Sequence, residues 1–486
     1  MVGVPGRSKG CKTCKRRKIK CDLQEPQCGQ CSKGGRHCER SQKEIAFIHR
    51  TPQGLLRKGQ ELCREPAPWD TRRTGNRARA THMPPQVNPA AIYLDGMLST
   101  FLGAFLPSSS ILPLTDPYHI PKPPTLWMNI AISLPRHSPV LSVALQALCM
   151  TKIAQTHGDT ALLMQGMAMH GRALRALQNA IHNTSTALTD ETLAAMRVLG
   201  IYEFHEGTMG SVVGWTSHEE GMEQLLRLRG FSASQYESEL SLALLAGARK
   251  SAMIRGLQFL KGTFFGEERW CVEPWGSRPK DYIQQLCDIG LRLPCILEEL
   301  HTKPGLHIDL TWQRCQQLDN RLNAWHAHIL TLFPTVPYWE QPAERIARST
   351  DIAPSPFSTA FTFFDLRAAD ALAFFWALRI HVHAALRGLS LSGAAPRGSA
   401  PEEHEAIIEA CACNIARSVL YFTQLKSGFL GVHSMIFPLK TALSAFRQMG
   451  WETEWEWCRG VLLTMKSRGI RYPSDIVEAE WGEQLQ

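Results

Sequence analysis

The stretch GCKTCKRRKIKCDLQEPQCGQCSKGGRHCE places six cysteines at Cys11, Cys14, Cys21, Cys28, Cys31 and Cys38. Their spacing is C-x2-C-x6-C-x6-C-x2-C-x6-C. Moving the first three by seventeen residues lands on the last three, so one half is written twice. A segment this small has almost no apolar core and needs another source of folding free energy. A tetrahedral zinc takes four thiolates at ~2.3 Å, so two separate ions would need about eight sulfurs where six exist, and two sulfurs must bridge. The internal symmetry points to the first cysteine of each half, Cys11 and Cys28, as the bridging pair. Cys14 and Cys21 then complete one metal, and Cys31 and Cys38 the other. The C-x2-C pairs suit this because one helical turn brings both sulfurs to the same side. The competing reading, a disulfide framework, belongs to secreted chains, and MVGVPGRSKG lacks the apolar core of a signal peptide.

The two halves differ in what they carry. KRRKIK fills the space between Cys14 and Cys21, whereas SKGGRH lies between Cys31 and Cys38. A short helix from about Lys12 to Lys18 is expected, directing Lys15, Arg16, Arg17, Lys18 and Lys20 toward phosphates and base edges; Gly34 and Gly35 end the second helix early. The alternative for KRRKIK is a solvated charge run or an import signal alone.

At all six cysteines the sequence resembles the fungal binuclear zinc-cluster transcription factors. The resemblance implies two zinc ions per chain, a nuclear location, and sequence-specific regulation of RNA polymerase II transcription through double-stranded promoter DNA. It also implies that the end of the first helix reads a CGG-type triplet, a role that falls to Lys18 and more weakly to Arg17. Lys12, Lys15, Arg16 and Lys20 would hold phosphates, which orient the protein without reading sequence. A proline between the halves, here Pro26, is commonly cis in that family; an ordinary trans turn is the equal alternative.

Charge separates the chain into two parts. Residues 1–80 hold 20 lysines and arginines against 7 aspartates and glutamates, while the remainder holds 33 against 37. The excess of +9 therefore belongs to a polyanion-binding arm joined to a slightly acidic body. Nine further cysteines follow no metal spacing, which fits a reducing compartment. The longest strictly apolar run, ALAFFWAL from Ala371 to Leu378, is far short of the ~20 residues that span a bilayer, so no membrane partner is expected.

Residues 1–8 read as a flexible tail, 9–40 as the zinc cluster and 41–88 as a basic, mostly unfolded linker broken by prolines and glycines. Ile45, Ile48, Leu55, Leu56 and Leu62 keep no heptad, so a homodimer would be formed through the helical body instead. Residues 89–486 read as an all-α regulatory domain of packed helical hairpins without convincing strands. Ser138 and Pro139 open one helix that Gly158 closes. Leu163, Met167, His170, Leu174, Leu177 and Ile181 form an apolar stripe at 4-3 spacing. Later helices are expected near 318–332, 359–388, 402–425, 432–449 and 451–468, with mobile loops near 335–356 and 389–401. Trp215, His218, Gly221, Leu225, Leu226, Arg229 and Gly230 resemble the regulatory domain of the same family, with Phe231 where proline is usual.

Catalytic motifs such as G-x-S-x-G and H-E-x-x-H are absent, so the chain is read as no enzyme. The i, i+2 pairs His326/His328, His381/His383 and Cys411/Cys413 point to opposite sides of a helix and cannot share a metal there. Rival readings are a helical enzyme recruited to nucleic acid by the cluster, and a scaffold that acts through another factor. ETEWEW from Glu452 and DIVEAEW from Asp475 mix acidic and aromatic residues and read as solvated helix faces, with activation segments as the alternative; transcription machinery or coregulators are expected partners of the chain.

Overall fold

The computed structural model describes residues 11–22, 24, 27–38, 89–108, 127–133, 138–206, 211–303, 308–333, 336–348, 350–392, 400–467 and 469–470. The tail 1–8, Pro26, the linker 41–88, the loop 393–399 and DIVEAEW lie outside them. The chain divides into two units, Met1–Met83 and Pro84–Gln486.

In the first unit, helices α1 (Lys12–Arg16) and α2 (Gly29–Ser32) each follow the first cysteine of a half. Among the described residues its core is the cysteines themselves: Cys11, Cys14, Cys28 and Cys31 are buried, with Cys21 and Cys38 packed against them. Helix α1 ends at Arg16 rather than reaching Lys18. The Ile19 N–H returns to the Cys14 carbonyl at 3.2 Å, and Lys18 takes a left-handed backbone, φ 55°. The second half repeats this stop, with Arg36 N–H on the Cys31 carbonyl at 3.0 Å and Gly35 at φ 59°. Both are the left-handed helix ends that glycine normally occupies.

The second unit opens with α3 (Pro89–Phe105), α4 (Trp127–Ser133), α5 (Pro139–His157), α6 (Thr160–His182), α7 (Asp190–Glu206), α8 (Ser211–Arg229) and α9 (Glu239–Gln258). It continues through α10 (Glu268–Val272), α11 (Tyr282–Gly290), α12 (Leu293–Thr302), α13 (Ile308–Leu330) and α14 (Ala343–Ala347). Helices α15 (Leu366–Leu391), α16 (Pro401–Phe422), α17 (Gly428–Met449) and α18 (Glu452–Ser467) complete it. The all-helical body is thus as expected, and α5 starts after Ser138 and ends at Gly158 in the left-handed conformation, φ 67°. Helix α5 packs on α6 and α7, α7 on α8, and α15 on α16 and α17. Leu318, Leu322, Trp325 and Ile329 form the buried face of α13.

Three details differ from the sequence reading. First, the α6 seam is Gly166, His170, Ala173 and Leu177, while Met167 is 45% exposed. Small residues decide this, because a Cβ on Gly166 would stand 2.3 Å from Thr151 Oγ1 of α5, and only glycine lets the helices close. Second, α8 begins at Ser211, a turn before Trp215.

Third, residues 338–342 and 359–363 form a two-stranded antiparallel sheet where a loop and a helix start were expected. Strand β1 (Tyr338–Pro342) pairs with β2 (Thr359–Phe363), from Tyr338 opposite Phe363 to Pro342 opposite Thr359. The strands are too short to show a period, and their partners supply the stability. Tyr338 and Phe361 lie 5.7 and 5.9 Å from the Trp376 ring of α15.

Helix α15 is buried on nearly every side. The stretch Leu425–Met449, containing α17, is apolar enough by composition to cross a bilayer, yet 78% of its apolar window is buried inside the domain, as in a core helix. ETEWEW opens α18, whose Trp457 is buried and donates its ring N–H to the Ala353 carbonyl at 3.1 Å. After α18 the Gly469 carbonyl is clasped by Lys152 Nζ of α5 at 2.7 Å and by His205 Nδ1 of α7 at 3.1 Å.

Candidate metal centre and nucleic-acid interface

The sulfurs of Cys11, Cys14, Cys21 and Cys28 form one set within 4.8 Å of one another, and those of Cys11, Cys28, Cys31 and Cys38 form another. Cys11 and Cys28 belong to both, and their sulfurs stand 3.7 Å apart. Cys14 lies 3.6 Å from Cys28, and Cys31 lies 3.7 Å from Cys11. A tetrahedron with ~2.3 Å metal–sulfur bonds has edges of ~3.8 Å, so these spacings suit zinc.

The local chain explains the gathering. The Cys14 backbone N–H donates to the Cys11 sulfur at 3.3 Å, which holds that thiol down at about 6, whereas burial pushes Cys14 up to about 12. Thiolates packed this closely repel one another, and a divalent cation between them removes that cost. Asp22 was not singled out from the sequence. Its carboxylate accepts the Gly29 N–H at 2.9 Å and so starts α2. Thr13 Oγ1 donates to the His37 carbonyl at 2.9 Å and ties the halves together.

Arg16, Arg17, Lys18 and Lys20 are exposed around the end of α1. Lys12 and Lys15 stand on the same helix, with side chains outside the described residues. The pseudo-symmetry makes Lys18 the counterpart of Gly35, so the first half places a long cation where the second half has no side chain.

In the second unit the singled-out residues bolt α8 to α7. Gly221 lies against Met196, and Trp215 meets the Phe204 ring at 6.1 Å. Arg229 pairs with Asp190 at 2.5 Å, and Gly230 at φ 91° ends α8, its carbonyl accepting from the Tyr236 hydroxyl at 2.7 Å. Phe231 packs on Trp270.

Of the histidine pairs, His326, His381 and His383 are packing residues and His328 is exposed. His326 stacks on Phe375 at 4.5 Å, and His381 is buried against Phe437. His383 bonds Asp319 at 3.1 Å and His404 at 3.1 Å.

Residues 9–45 match the family described as the fungal Zn(2)-Cys(6) binuclear cluster domain. Residues 98–256 match the family described as the fungal specific transcription factor domain. The chain thus matches, in order along its sequence, a zinc-cluster domain and a regulatory domain described for fungal transcription factors. Neither is an enzyme family, and the cluster domain binds two zinc ions. An uncharacterized protein of Emericella nidulans is 34% identical over 87 residues, which is 18% of this chain and 18% of that protein. No solved structure matches the chain.

Proposed function

We propose that this chain is a nuclear regulator of RNA polymerase II transcription that reads CGG-type triplets in promoter DNA through its zinc cluster. Cys11 and Cys28 bridge the two zinc ions, Cys14 and Cys21 complete one, and Cys31 and Cys38 complete the other. The metals are structural: they fix the backbone that presents the basic residues. Lys18, aided by Arg17, reaches guanine edges, and Lys12, Lys15, Arg16 and Lys20 hold phosphates. The helical domain supplies a homodimer contact and engages transcription machinery or coregulators. The domain boundaries are 9–40 for the cluster, 41–88 for the linker and 89–486 for the regulatory body.

The observation that carries the reading is the left-handed backbone at Lys18, φ 55°, opposite a glycine in the other half. A residue with a Cβ costs roughly 1 kcal/mol more than glycine there, so a retained lysine is explained by what its side chain does. Lys18→Gly is expected to make the zinc-loaded cluster more resistant to denaturant by ~1 kcal/mol, while weakening the cognate triplet by ~1–3 kcal/mol. The two effects have opposite signs, which a general folding defect cannot produce.

Arg16→Ala is expected to weaken cognate and scrambled duplexes alike, and to flatten the salt dependence by about one phosphate contact. Binding titrations at several salt concentrations decide both cases. Equal loss on both duplexes for Lys18→Gly would make Lys18 a phosphate contact and remove the basis for triplet reading.

A further inference from the structure

Beneath α17 lies a cavity of about 120 Å³, bounded also by α3, α4, α7, α8, α9, α11 and α15. An engineered cavity of ~150 Å³ takes benzene, so this space suits a single ring. Leu430, His433, Ser434 and Phe437 reach it from one face of α17 at helical 3-4 spacing, and Trp127 and Trp215 also line it.

The charges on the wall cancel. Arg197 pairs with Glu219 at 2.6 Å, and Lys250 with Asp370 at 2.7 Å. Burial pushes the Lys440 amine well below the usual lysine range. His433 is held down at about 3 by burial, with Arg197 and Lys250 nearby, and is therefore neutral. A wall without net charge selects against ions, whose lost hydration nothing there repays.

Two consecutive residues of α17 bring polar groups with nothing to bond. The His433 ring, half-buried and packed at 75° to the Phe204 ring, has no hydrogen-bond partner among the described residues. The Ser434 hydroxyl has none either, although the residue is only 8% exposed. Pro438, inside the helix, has no N–H, so the Ser434 carbonyl loses its usual helical donor as well. Polar groups taken out of water normally find a partner, and here they meet on the lining of one cavity.

We propose that this cavity is a ligand site for an uncharged phenol, one aromatic ring carrying a hydroxyl, with the ring among the apolar walls and the hydroxyl bonded to His433 and Ser434. A neutral imidazole offers one donor and one acceptor and a serine hydroxyl offers both, so the ligand hydroxyl is met in either sense. A mostly apolar lining with a few convergent polar groups is the usual make-up of such a site. It belongs to the helical body and stands independently of what the cluster reads in DNA.

Calorimetry on the zinc-loaded full chain tests this with phenol, toluene and benzoate. The first two match in shape and differ in the hydroxyl, and the third adds a charge. In a merely apolar cavity toluene would bind best, because phenol would give up its bonds to water for nothing. Here phenol should bind at least about tenfold more tightly than either. His433→Phe keeps a ring against Phe204, and should cost phenol at least about tenfold while toluene still binds, which shows the cavity intact. Ser434→Ala, the smaller change, should weaken phenol in the same selective way and decides the matter should His433→Phe not fold. The proposal is overturned if phenol fails to bind at millimolar concentration, if toluene or benzoate binds as tightly as phenol, or if the folded variants keep the full preference for phenol.

Discussion

Chelating zinc is expected to abolish the fold of residues 11–38 and all binding to duplex DNA, while the circular dichroism of the helical body persists. The cluster has little else to hold it, since its core among the described residues is made of cysteines. Structural zinc supplies ~10–16 kcal/mol to modules of this kind, far more than two short helices can replace. Cys28 stands in both four-sulfur sets and Cys38 in one. Cys28→Ala should therefore strip both metals, whereas Cys38→Ala should lose chiefly one. Metal analysis per chain distinguishes them, and equal losses would remove Cys28 as a bridge.

The second large effect is expected at Arg249, whose side chain is fully buried on α9. Its guanidinium donates to Gln284 Oε1 at 2.9 Å and to Asp288 Oδ1 at 2.5 Å, and lies 4.7 Å from the Trp275 ring. Lys280 also pairs with Asp288. Removing one partner of a buried ion pair costs ~3–5 kcal/mol, because the remaining charge and polar groups lose their partner without regaining water. Arg249→Ala should lower the denaturant midpoint accordingly, with little change in slope. Arg249→Lys should recover only part of the loss, because an ammonium cannot span Gln284 and Asp288 as a fork does. A loss under ~1 kcal/mol for Arg249→Ala would show that the buried cation contributes no more than a surface pair.

What the sequence made legible follows the range of the interactions. The six cysteines, the Ser138–Pro139 start and the Gly158 stop are local signals, and the backbone obeys them. Nothing local says that Lys18 ends its helix in a left-handed turn; that appears only when the halves are compared in three dimensions. The α6 stripe was misplaced at Met167 because hydrophobicity was counted and size was not, whereas Gly166 sets how close α5 can come. Strands β1 and β2 are held by aromatic contacts with α15, which no five-residue window contains. Arg249 likewise reads as an ordinary helix cation until α11 is folded against it.

The clasp on Gly469 bears on how regulators of this kind can be recombined. Lys152 and His205 lie inside the matched stretch 98–256, but the carbonyl they share lies more than 200 residues downstream. The matched stretch is therefore not an exchangeable cassette. A hybrid that swaps it alone would pair two cationic or polar donors with a foreign tail, and would unseat α9 from the α11, α15 and α17 surfaces it packs against or faces across the cavity. Among the described residues, the smallest unit that keeps this clasp together runs from α3 through Ile470.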